Sequence, residues 1–113
     1  MNSVKNLFLI FLIGVLTSSC SDNMIDFYVK NDLGEKVSVE ISMPKDTMKF
    51  DLVSGGEIVK QVSFDEEGSY IVKATLESGG SLKSDSVYIT KGVAVIDRVE
   101  VGENGIHIDR EIK

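Results

Sequence analysis

From residue 24 onward, apolar and polar positions alternate with a period of two in short runs, the pattern of strands with one buried face. In IDFYVK, Ile25, Phe27 and Val29 share one face while Asp26, Tyr28 and Lys30 share the other. KVSVEISM is the cleanest run, with Val37, Val39, Ile41 and Met43 opposed to Lys36, Ser38, Glu40 and Ser42. Met48, Phe50 and Leu52 align in TMKFDLV, and Tyr70, Val72, Ala74 and Leu76 in SYIVKATL. EIVKQVSF places Ile58, Val62 and Phe64 inward with Lys60 on the same face, as on an edge strand or at a bulge. SLKSDSVYI, VAVIDRVEV and IHID follow. Turn-forming clusters separate the runs: Ser54-Gly55-Gly56, Ser78-Gly79-Gly80, Thr90-Lys91-Gly92, and Asn104-Gly105, whose residues tolerate positive φ in a tight hairpin. No window carries a helical period over three turns. The pattern predicts an all-β domain over 24–113, a sandwich or barrel of about 7–8 antiparallel strands.

The first twenty residues follow a different rule. Lys5 and the amino terminus precede a ten-residue apolar run, Leu7 to Leu16, and then the small polar residues Thr17, Ser18 and Ser19. Ten helical residues span about 15 Å, half of a bilayer's hydrocarbon, so the layout is that of a secretory signal and not of a membrane span. Leu16-Thr17-Ser18-Ser19-Cys20 resembles the lipobox of bacterial lipoproteins, with Ser19 at the small position before the cysteine. Thr17 stands where the strict consensus has Leu, which resembles the looser pattern of Bacteroidetes. The resemblance implies cleavage after residue 19 and a diacylglycerol on the Cys20 thiol. Residues 1–19 are then a signal peptide, 20–23 a short tether and 24–113 the folded domain. Each buried CH₂ contributes about 0.8 kcal/mol, so two or three acyl chains on Cys20 hold the protein to a membrane essentially permanently. Ser21, where an inner-membrane retention signal would carry Asp, implies the outer membrane, on its periplasmic face or at the cell surface.

A second resemblance concerns the fold. Glu66-Glu67-Gly68-Ser69-Tyr70-Ile71-Val72 is similar to the run that opens strand F of immunoglobulin-like domains. It implies a structural corner built from Glu66, Gly68 and Tyr70, in which the tyrosine hydroxyl bonds to nearby backbone and the glycine permits a tight turn. Val72 replaces the usual cysteine. The same Gly-x-Tyr-x-hydrophobic run occurs in prealbumin-like sandwiches, so the expected fold is an immunoglobulin-like or related β-sandwich.

Composition narrows the function. The chain has 113 residues, 12 Lys+Arg against 18 Asp+Glu, one Cys and one His, with a formal net charge of -6. The acidic balance argues against nucleic acid. A single Cys and a single His exclude an internal disulfide and any zinc site built on paired Cys and His. His107 falls on the strand face opposite Ile106 and Ile108, with no Gly-x-Ser-x-Gly elbow anywhere, and reads as an exposed strand histidine. Asp65-Glu66-Glu67 reads as a solvated turn, since its spacing matches no EF-hand loop. Gly55-Gly56 and Gly79-Gly80 lack the Lys-Ser/Thr of a phosphate loop. No metal, cofactor or catalytic residue is expected. Tyr28 and Tyr88 are the candidate binding residues, because tyrosine contributes contact area at low entropic cost, and Val59 and Ile71 also face outward. The expected function is a non-catalytic binding, structural or assembly module at the outer membrane, contacting another envelope protein or a surface ligand. The alternative is an immunity or inhibitor lipoprotein whose loop acids block a toxin or hydrolase.

Overall fold

A computed structural model describes residues 23–113. The predicted signal peptide, the predicted acylation site Cys20 and most of the predicted tether lie outside the described residues. Nine strands follow one another: β1 (Met24–Asn31), β2 (Val37–Ser42), β3 (Thr47–Leu52), β4 (Glu57–Ser63), β5 (Gly68–Leu76), β6 (Ser81–Lys83), β7 (Val87–Ile89), β8 (Val95–Gly102) and β9 (Gly105–Ile112). They form two sheets, one in the order β4-β1-β8-β9 and the other β3-β2-β5-β6, with β7 also paired to β5. The molecule is a β-sandwich.

The period-two faces predicted from sequence are the faces that meet between the sheets. Ile25, Phe27, Val29, Val37, Val39, Ile41, Tyr70, Val72 and Ala74 are all buried. The expected inward set is therefore the core, and its burial is the main stabilising term. β4 is an edge strand, and Lys60 faces inward opposite Phe27. An inward charge on an exposed edge discourages pairing with another chain.

Strand order departs from the immunoglobulin pattern. There the first two strands are neighbours in one sheet. Here β1 lies between β4 and β8, and β2 belongs to the other sheet. The β1–β8 pair is parallel, with Ile25 opposite Val95 and Val29 opposite Val99, while the remaining pairs are antiparallel. A period-two pattern sets which face a strand buries, not which strand lies beside it. The run SLKSDSVYI also divides. The Ser84 hydroxyl accepts from Val72 N at 2.9 Å in place of a regular ladder bond, and β6 stops before it. Pairing with β5 resumes at Val87.

Loops gather at two ends. One end carries Asn23, the turn 43–46, the loops 64–67 and 90–94, and Lys113, whose amide bonds to Ala94 O. The opposite end carries the loops 32–36, 53–56 and 77–80 and the hairpin turn before Gly105, whose φ of +121° suits glycine. Asn31, fully buried, organises that second end. Its amide donates to the carbonyls of Glu35, Leu52 and Val53, and its Oδ1 accepts from Leu33 N.

Candidate functional site

A polar cluster centred on a buried carboxylate links the two sheets. Asp97 on β8 falls in phase with Val95, Val99 and Val101, so its carboxylate enters the core and is fully buried. Directly across the β8–β9 ladder, Arg110 supplies a two-pronged partner: Nε donates to Oδ1 and Nη2 to Oδ2, both at 2.8 Å. From the other sheet, the Tyr70 hydroxyl donates to Asp97 Oδ2. The third guanidinium nitrogen, Nη1, donates to Tyr88 O at 2.8 Å. Phe27 packs edge-on against the Tyr70 ring, with centroids 5.0 Å apart. Burial, reinforced by the hydrogen bond to Asp97, pushes the Tyr70 phenol far above its ordinary value. The hydrogen bond to Asp97 raises Arg110 further. A phenol held protonated and aimed at a paired carboxylate is a donor that joins two sheets, not a nucleophile or a base.

This geometry revises the predicted corner. Tyr70 is buried at the start of β5 as expected, but its hydroxyl reaches across the core to Asp97 and not back to local backbone. Glu66 is exposed in the 64–67 loop. Gly68 is required by close approach: a Cβ there would meet Pro44 Cγ at 2.7 Å. The residues that complete the cluster, Asp97 and Arg110, escaped the sequence reading. Asp97 carried a signal, since it is the polar member of an otherwise apolar inward phase.

The two outer faces differ in chemistry. On the four-stranded sheet, cross-strand register sets Val59, Tyr28, Arg98 and Asp109 in one row and Glu57, Lys30, Glu100 and His107 in the next. Arg98 lies over the Tyr28 ring at 5.6 Å from its centroid and is held there by Glu111 at 2.7 Å. These rows line a shallow recess of about 360 Å³. Tyr28 is 42% exposed and Val59 56%. The outer face of the second sheet is polar by contrast, with Lys49, Glu40, Lys73 and Lys83 in one row and Ile71 half-buried beside Ser42.

His107 is exposed, as predicted, and stands opposite Glu100. Glu100 is raised chiefly by its hydrogen-bonded contact with Asp32, and the same contact lowers Asp32. Among the described residues no group of three or more His, Cys, Asp or Glu is placed to hold a metal ion. Tyr28 and Tyr88 do not form one patch. Tyr28 belongs to the outer face of the four-stranded sheet, whereas Tyr88, 57% exposed, sits on β7 of the other sheet with its hydroxyl 3.3 Å from Glu67.

No family model and no curated protein matches this chain. Solved structures do. A candidate cell adhesion protein from Bacteroides ovatus superposes with a TM-score of 0.53 at 12% identity, over 80% of this chain and 44% of its own. A protein from Eubacterium rectale, solved by NMR, gives a TM-score of 0.51 at 16% identity, over 81% of this chain and 90% of its own. The chain thus spans less than half of the Bacteroides ovatus protein. At these identities the likeness is one of fold.

Proposed function

We propose that this chain is a lipid-anchored, non-catalytic binding module of a bacterial outer membrane. The observation that carries the reading is the position of its single cysteine. Cys20 ends an apolar signal-like run and stands four residues before Met24, where the first strand of the sandwich begins. Acyl chains at that point would join a folded domain to a bilayer with almost no intervening chain. The fold shared with the Bacteroides ovatus adhesion candidate is in keeping with a binding role, although a sandwich alone does not specify one. The polar cluster is compatible with it too, since Asp97, Arg110 and Tyr70 are committed to one another.

The test is fractionation of the natively expressed protein. Wild type is expected in the detergent-soluble envelope fraction with an acylated amino-terminal peptide by mass spectrometry, and Cys20→Ala in the soluble fraction. An unmodified amino-terminal peptide, or membrane association that survives Cys20→Ala, would reject the anchor.

A further inference from the structure

The point at which the chain enters the sandwich determines which end lies near the anchor. Asn23 is held at the first of the two loop-bearing ends: its carbonyl accepts from Phe64 N at 3.0 Å and its Oδ1 from Gly92 N at 2.8 Å. Pro44 packs against Gly68 at the same end, so the turn 43–46 and the loop 64–67 form one surface there. Cys20 precedes Asn23 by three peptide steps, which reach at most about 11 Å. Strands of eight residues then carry the structure about 25 Å away from that end. At the far end three loops are fastened together. Asn31 binds the carbonyls of Glu35, Leu52 and Val53, the Ser54 hydroxyl donates to Leu33 O at 2.7 Å, and Ser78 donates from N and Oγ to the Glu35 carboxylate.

We infer that the domain stands end-on at the membrane, with the surface formed by 43–46, 64–67 and 90–94 against the lipid headgroups and the Asn31-clamped loops presented farthest from the bilayer. The inference rests on the acyl anchor at Cys20. It identifies the near end as a surface that meets lipid headgroups and the far end as the surface open to a partner. The competing arrangement is a domain lying flat, for which the row Lys49, Glu40, Lys73 and Lys83 offers a face with three lysines against one acid.

The experiment uses the full acylated chain in phosphatidylcholine vesicles carrying a headgroup-level quencher. Cys20 is the only cysteine and its thiol is blocked by acylation, so an introduced cysteine can be labelled alone. Asp65→Cys marks the near end, Lys73→Cys the middle of a sheet face and Val53→Cys the far end, all at exposed positions. Quenching is expected to be several-fold stronger at position 65 than at 53, with 73 between them. Equal quenching at 65 and 73 would overturn the end-on arrangement in favour of a flat one, and strongest quenching at 53 would reverse it. Vesicle binding that persists in Cys20→Ala would instead overturn the anchor itself, an outcome recognisable without any label.

Discussion

Among the described residues, Asn31 and Asp97 are polar side chains fully buried in the sandwich, and they do different work. Asn31 is neutral and is satisfied by backbone: three carbonyls and one amide, all at a single end of the sandwich. Asp97 is a carboxylate satisfied by side chains, Arg110 from the neighbouring strand and Tyr70 from the opposite sheet. The asparagine therefore fixes loop geometry, whereas the aspartate fixes one sheet against the other. The difference lies in what is left behind when a partner is lost. Removing Asn31 orphans neutral backbone groups, some close to water. Removing Arg110 leaves an unpaired charge in the core.

The largest effect is accordingly expected from Arg110→Ala, which should cost about 3–5 kcal/mol because Asp97 would remain buried without its counter-ion. That is a large share of the roughly 5–15 kcal/mol that holds a small domain together. Urea unfolding followed by far-ultraviolet circular dichroism reads it directly. The triple change Asp97→Val, Arg110→Leu, Tyr70→Phe removes the whole network and is expected to recover most of the loss. If the triple variant is no more stable than Arg110→Ala, the cluster contributes more than mutual compensation. Asn31→Ala comes next at about 2–3 kcal/mol, through a buried Leu33 amide and carbonyls left without partners. Hydrogen exchange should locate that loss: protection should fall in the loops 32–36 and 53–56 and persist in β5 and β8. A uniform loss would contradict the local role assigned to Asn31.

Much of this architecture was legible in the chain, and the reasons can be given residue by residue. Strand faces follow from alternation alone, which is why the inward sets of β1, β2 and β5 match the core. Lys60, the one residue that interrupts an inward set in EIVKQVSF, marks β4 as an edge strand. Asn31 and Asp97 also sit at inward phases, Asn31 after Ile25, Phe27 and Val29 and Asp97 among three valines. Alternation places both inward, but it does not say what would satisfy a polar group there. Whether a polar group can occupy a core position depends on partners distant in sequence, and Tyr70 is 27 residues from Asp97. The same limit explains the corner. Gly-x-Tyr correctly placed a buried tyrosine at the start of a strand, but its hydroxyl partner belongs to the opposite sheet, which no local motif encodes.

Tyr70→Phe sharpens the distinction between a sheet-joining hydrogen bond and mere packing. The ring and its contact with Phe27 are kept, so only the donor to a charged acceptor is lost, at about 1.5–2 kcal/mol near neutral pH. The sign of its pH dependence follows from the raised phenol. Unfolded tyrosine ionises near 10.0 while the folded side chain stays protonated, so above that pH the unfolded state binds fewer protons. Stability supplied by Tyr70 is present below pH 10.0 and declines as pH rises beyond it, by about 1.4 kcal/mol per unit. Wild type should thus lose stability steeply in alkali, and Tyr70→Phe less steeply, so that the two unfolding curves converge. Parallel curves would mean that the hydroxyl is not sequestered by Asp97.

The smallest expected effect lies on the surface and has the opposite sign. Glu100 meets Asp32 at the end of the four-stranded sheet, and the contact raises its carboxyl above the ordinary 4.5 despite the opposing influence of Lys30 and His107. A carboxyl raised by folding contributes stability below its unfolded value, and that contribution disappears as pH climbs through the folded value. At pH 7 the two carboxylates therefore repel. Glu100→Gln removes one charge while its amide can still donate to Asp32, so thermal unfolding at pH 7 should occur at a slightly higher temperature than in wild type. The gap should close as pH falls below 4.5, where Glu100 is itself protonated, and should narrow in high salt, which screens exposed charges. A lower unfolding temperature for Glu100→Gln at pH 7 would show that Lys30 and His107 attract this carboxylate more strongly than Asp32 repels it.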